Sequence, residues 1–167
     1  MRIAAAIVAL ALSGCGLHPL YSGGEGSSVA ATLRSIEVAP IPGQVGWLVR
    51  TKLVDRLSGK EGGTSQYRLD VELDDDITGF GIRGDRATTR ERRTLRARYR
   101  LVELRTGNVV LDATAGSDAG IDVVSSEYAT VAAEQTAAER LSEVVADQIV
   151  ARIALYGSRT QKISPPR

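Results

Sequence analysis

The residues with the most reactive chemistry stand near the start of the chain, where Leu12-Ser13-Gly14 runs into Cys15, the one cysteine among 167 residues. A cysteine sulfur is the nucleophile that bacterial lipidation alkylates with a diacylglyceryl group. Small residues before it let the backbone lie extended in a signal-peptidase cleft. Upstream, Arg2 is followed by an apolar run from Ile3 to Leu12. That run is about ten residues, which fits a signal-peptide core and falls short of the ~20 needed to span a bilayer. Residues 1–14 therefore read as a lipoprotein signal peptide that is removed, and Cys15 as the acylated residue. The alternative is ordinary secretion after the small-x-small triplet Ala11-Leu12-Ser13, which would leave Cys15 as an unpaired thiol in an oxidising compartment. Each buried methylene contributes about 0.8 kcal/mol, so two acyl chains hold a protein on a membrane without a transmembrane helix. Gly16 stands directly after the cysteine, where an Asp would signal retention at the inner membrane, so the address points to the outer membrane.

The second concentration of chemistry is a row of guanidiniums. Arg90, Arg92, Arg96, Arg98 and Arg100 occupy even positions, while Leu95, Ala97, Tyr99 and Leu101 occupy odd ones. A period of two places the sets on opposite faces of a strand. Tyr67, Leu69, Val71 and Leu73 alternate in the same way with Arg68, Asp70, Glu72 and Asp74, so the two strands are expected to pair as a hairpin. A turn near Gly84 sets Glu72 opposite Arg96 and Asp70 opposite Arg98, as exposed ion pairs contributing ~0.2–1 kcal/mol each. Toward the loop end, Arg83, Arg86, Arg90, Arg92 and Arg93 outnumber Asp85 and Glu91. Arg86, Arg90, Arg92 and Arg93 are therefore the candidate anion-binding residues, because guanidinium forms charge-assisted, often bidentate bonds to phosphate.

Other chemistry is scarce. With His18 the only histidine there is no histidine metal cluster and no Ser-His-Asp triad, and no metal or organic cofactor is expected. Asp74-Asp75-Asp76 lacks the ligand number and loop spacing of a calcium site and reads as a solvated strand end. Gly59-Lys60-Glu61-Gly62-Gly63-Thr64 follows a helix and precedes a strand, the reverse of a phosphate-binding loop. A carboxylate-only hydrolase built on Asp70, Glu72 and Asp74 is the remaining enzymatic option, and such alternating acids are usually a solvated surface. Twenty-one basic and 20 acidic residues leave a net charge of +1, which gives no argument for nucleic acid.

The elements that must position these groups can be read from periodicity. Residues 15–31 are rich in Gly and Ser and read as a tether. Leu33 to Ala39 alternates as a first strand, stopped by Pro40-Ile41-Pro42-Gly43. Val45, Leu48, Val49, Leu53 and Leu57 form a helical stripe. After the hairpin, Thr106-Gly107-Asn108 turns into a fourth strand, Val109 to Ala115, and a polar loop. Ser125-Ser126 then caps a long helix through Tyr156, with Ala138, Leu141, Val145, Ile149 and Ile153 on one side and Gly157 as its stop. The order strand-helix-strand-strand-strand-helix predicts an α+β domain over residues 32–157, a four-stranded, mostly antiparallel sheet with two helices on one face. Residues 158–167 read as a disordered tail. About 150 residues beyond the signal peptide is one ordinary domain.

The segment Gly14-Cys15-Gly16-Leu17-His18-Pro19-Leu20-Tyr21 resembles the "GCGFHPLY" start of the lipopolysaccharide-assembly lipoproteins, the LptE family. Tyr99-Arg100-Leu101 through Thr106-Gly107-Asn108, and Ser126-Glu127-Tyr128-Ala129 with Ala132-Ala133-Glu134, are similar to the same family. The resemblance implies a non-enzymatic lipoprotein, palmitate-bearing and facing the periplasm. Its partner would be the outer-membrane β-barrel LptD, which it plugs and supports while lipopolysaccharide passes to the outer leaflet. Lipopolysaccharide would then be the anion met by Arg86, Arg90, Arg92 and Arg93. An auxiliary lipoprotein of an ABC-type lipid-trafficking system is the alternative, since such proteins share a tethered α/β domain.

Overall fold

The computed structural model describes residues 28–57, 65–82 and 88–163. Cys15, His18 and Arg86 lie outside the described residues, as does the Gly59 to Thr64 loop. The elements run α1 (Ser28–Arg34), β1 (Ile36–Val38), α2 (Gly43–Leu57), β2 (Tyr67–Ile82), β3 (Thr88–Glu103), β4 (Val109–Asp122) and α3 (Glu127–Ile163). This is the expected α+β fold with a short helix added in front. The sheet order is β1-β2-β3-β4. β1 joins β2 in parallel, with Ile36 opposite Tyr67, and both remaining pairings are antiparallel.

The first strand is shorter than its alternation suggested. Leu33 is buried in the core from the end of α1, and the chain becomes extended only at Ile36. Ser35 ends that helix by donating its backbone N–H and its hydroxyl to the Thr32 carbonyl, at 3.1 and 2.8 Å. β1 then buries Ile36 and Val38 and exposes Glu37.

Helix α2 buries Gly46, Val49, Leu53 and Leu57, a stripe three and four residues apart, against α3 and β1. It enters tightly. A Cβ at Gly46 would stand 2.7 Å from the Ile41 carbonyl oxygen and 2.9 Å from its carbon, both backbone atoms that cannot rotate away. Gly46→Ala is therefore expected to cost about 1–3 kcal/mol, the usual range for overpacking, read as a lower midpoint in urea denaturation. An unchanged midpoint would mean that the Pro40 to Pro42 segment shifts freely.

The strand β4 reaches Asp122, well past the expected end at Ala115. Gly116, Ser117, Asp118 and Gly120 have loop-forming propensities, but cross-strand partners on β3 override them, pairing Arg96 with Gly116 and Arg90 with Asp122. The register of the arginine hairpin also differs by two residues from that expected. Glu72 stands opposite Arg98, Asp70 opposite Arg100 and Asp74 opposite Arg96. Alternation does not fix this choice, since a shift of two residues keeps every side chain on its face.

Helix α3 lies along β4 and β3 with Leu141, Val145, Ile149 and Ile153 fully or almost fully buried. It continues through Gly157 to Ile163. Gly157 does not take the positive φ of a C-terminal cap, and it is buried beside Thr32 of α1. At 1.5 Å per residue α3 is about 55 Å long and α2 about 22 Å, so the distal parts of β2 and β3 run on beyond α2.

Candidate functional site

One face of the sheet packs on the helices, and the other carries the charges. Residues that are direct cross-strand partners share a face, so the outer surface can be read row by row. The central row is Arg90, Arg92, Thr94, Arg96, Arg98 and Arg100 of β3. On the β2 side it meets Asp70, Glu72, Asp74 and Asp76, and on the β4 side Asp112, Asp118 and Asp122. The arginine row is thus flanked by carboxylates on both sides. Asp118 and Asp122 of the second flank lie in the distal half of β4, which the alternation did not disclose. Asp112, Asp118 and Asp122, all at even positions, were the available signal.

Most of these charges are spent on each other. Arg98 forms a bidentate pair with Asp112, Nη2 to Oδ2 at 2.9 Å and Nε to Oδ1 at 3.3 Å. Those bonds hold the Asp112 carboxyl below the usual carboxylate range. Arg100 reaches Glu72 at 2.9 Å, and Arg68 grips Asp70 through two bonds of 2.8 and 3.0 Å. The partners are therefore not those of the expected register.

The proposed tip residues divide. Arg90 bonds Asp122 at 3.2 Å, with the two side chains 65% and 80% exposed, a pair that water and salt largely screen. The Arg92 guanidinium carbon lies 5.3 Å from the Phe80 ring centroid, in cation–π contact. These two share the outer face. Arg93, grouped with them from the sequence, sits at an odd position and turns to the helix side. Its Nε and Nη2 donate to Asp75 at 2.8 and 2.6 Å, and its Nη1 donates to the Glu134 carbonyl of α3 at 2.9 Å. With 12% of its side chain exposed, it ties β2, β3 and α3 together and does not belong to the outer tip. Glu91 also turns inward, with one carboxylate oxygen enclosed and without a hydrogen-bond partner, so it does not neutralise the outer tip.

The same alternation disposes of the acidic triplet. Asp74 and Asp76 point outward and Asp75 points inward to Arg93, so the three carboxylates cannot converge on one cation. Among the described residues there is no His/Cys/Asp/Glu group able to hold a metal.

The model of the family described as LptE, lipopolysaccharide-assembly, matches residues 33–153, most of the chain. The chain belongs to the LptE family. Members of this family are non-enzymatic lipoproteins with a role in lipopolysaccharide assembly, and the matched span runs from Leu33 in α1 to Ile153 in α3. No curated protein sequence matches.

Solved structures share the fold. A lipoprotein of Caulobacter crescentus superposes with a TM-score of 0.64 at 24% identity, covering 78% of this chain and 96% of that one. Rare lipoprotein B of Shewanella oneidensis gives 0.58 at 8% identity over 75% and 96% of the two chains. Lipoprotein B of Nitrosomonas europaea gives 0.57 at 9% identity over 79% and 88%. At such identities the likeness of this LptE-family chain to the three is one of fold. No helix among its described residues is long and apolar enough to cross a membrane.

Proposed function

We propose that this protein is an outer-membrane lipoprotein, anchored by acyl chains on Cys15, that plugs and supports the LptD β-barrel and assists lipopolysaccharide into the outer leaflet. The observation that carries the reading is the LptE family match across the helix-and-sheet domain. Two physical features support it. The outer sheet face is polar along its length, as a surface facing a water-lined lumen must be. At the hairpin tip, Arg90 is held by one exposed aspartate and Arg92 by an aromatic ring, so both can exchange these contacts for lipid A phosphates at little cost. Arg86, beside them in sequence, is the remaining candidate for the same role.

The expected result follows from that contrast. Arg90→Glu with Arg92→Glu lowers lipopolysaccharide affinity at least tenfold, while Arg98→Gln with Arg100→Gln, whose guanidiniums already hold Asp112 and Glu72, changes it less than threefold. Titration of labelled lipopolysaccharide, with melting temperatures in parallel, makes the comparison. Equal losses in both pairs would retire the tip as an anion site. Crosslinking in membranes checks the partner: capture of a permease in place of a β-barrel would favour the ABC-type trafficking reading.

A further inference from the structure

Arg96 is the exception in the arginine row. Arg90, Arg98 and Arg100 have carboxylate partners and Arg92 has its aromatic ring. Among the described residues, Arg96 has no hydrogen bond or ion pair, and neither does Asp74, its direct cross-strand neighbour. Opposite charges on adjacent strands, about 5 Å apart at the backbone, would ordinarily meet. Here the Arg96 side chain is turned the other way, across β4.

The reason is Gly116. A Cβ there would stand 2.7 Å from both Cδ and Nη1 of Arg96, so the guanidinium arm lies flat on the strand where any other residue would lift it. The floor is itself held. Gly116 N–H donates to Gln148 Oε1 at 3.0 Å, and Gln148 Nε2 donates back to the Gly116 carbonyl at 3.3 Å, so one amide of α3 satisfies both backbone groups at that point of β4. Long side chains on β3 beside Thr114 and Gly116 leave a depression of about 650 Å³, whose walls include Glu72, Asp74, Arg96 and Arg98. It therefore has a positioned, unspent guanidinium on one side and an unspent carboxylate on the other.

We propose that this depression binds a zwitterionic phosphate–ammonium group, the chemistry of phosphoethanolamine. Arg96 donates to the phosphate oxygens, and Asp74 accepts from the ammonium. Asp74, which has no cation partner, repels a bare anion approaching from the β2 side, which makes the tethered ammonium the selective feature. The site is separate from the hairpin tip and stands or falls independently of the proposed role there.

The test is an NMR titration of the Arg96 Nε–H resonance in the full chain. O-phosphoethanolamine is expected to shift it at concentrations at least tenfold lower than inorganic phosphate does. Asp74→Asn should remove that preference, and Gly116→Ala should abolish the response by lifting the arginine. Arg96→Gln should abolish binding, followed by calorimetry, without lowering the melting temperature, since Arg96 has no partner to lose. Competition by vesicles containing phosphatidylethanolamine would identify a lipid headgroup as the source, and failure to compete would assign the site to soluble phosphoethanolamine compounds. No response to O-phosphoethanolamine, equal affinity for inorganic phosphate, or binding that survives Arg96→Gln would overturn the proposal.

Discussion

Ile149→Asp is expected to remove about 3–5 kcal/mol of stability, enough to leave much of the protein unfolded at 37 °C. Ile149 has no exposed surface, and its neighbours on the α3 stripe, Val145 and Ile153, have none either. A carboxylate there loses the transfer free energy of the isoleucine, about 1.5–3 kcal/mol, and also meets an apolar environment in which its charge has no partner. Domains of this kind are held by roughly 5–15 kcal/mol in total, so one such change consumes a large fraction. Leu141→Asp, about two turns earlier on the same stripe and 2% exposed, is expected to behave alike. Val144→Asp is the control, because Val144 is 41% exposed on the same helix and its replacement should stay within about 0.5 kcal/mol. Urea denaturation separates these cases by midpoint at constant slope. Equal midpoints for Ile149→Asp and Val144→Asp would mean that the α3 stripe docks on a partner and not on its own sheet.

Cys15→Ser is expected to have the second large effect, on location and not on stability. In the lipoprotein reading, attachment is through acylation of this sulfur. At about 0.8 kcal/mol per methylene, two acyl chains make release from a bilayer negligible, whereas a hydroxyl in place of the thiol accepts no diacylglyceryl group. The variant should retain residues 1–14 and carry no lipid. Intact-mass spectrometry of native and variant chains reads both properties at once. A native chain with a free Cys15 thiol would remove the anchor, and with it the stated route to the outer membrane. The domain itself should melt at the same temperature in both, since the core formed by the described residues begins at Leu33.

What the chain declares locally it declares well. The period-two runs of β2 and β3 and the stripes of α2 and α3 each need only a few neighbouring residues to be recognised. Leu69, Leu95, Leu101, Leu53 and Ile149, which belong to those patterns, are among the residues with no exposure in the folded domain. The turn at Thr106-Gly107-Asn108 is equally local: Gly107 takes a φ of 73°, which glycine tolerates, and its N–H bonds the Glu103 carbonyl. The family resemblance rested on the same kind of short-range information.

Long-range pairing decided the rest. A shift of two residues keeps every side chain on its face, so alternation cannot distinguish Glu72 opposite Arg96 from Glu72 opposite Arg98, and only the closed hairpin does. The glycine- and aspartate-containing half of β4 has no strand signal of its own. It becomes a strand because β3 offers backbone partners and arginines beside it, and it thereby supplies Asp122, the carboxylate that pairs with Arg90. Arg93 is set apart from Arg92 by parity together with the approach of Asp75 and the Glu134 carbonyl, contacts across 18 and 41 residues of chain. Arg96 lies across Gly116, whose backbone Gln148 of α3 holds, and that approach exists only in the folded sheet. Sequence alone determined the charges and the faces that carry them. Which charge meets which partner, and which guanidinium stays free, depends on contacts between distant segments that exist only once the strands have registered and the helix has docked.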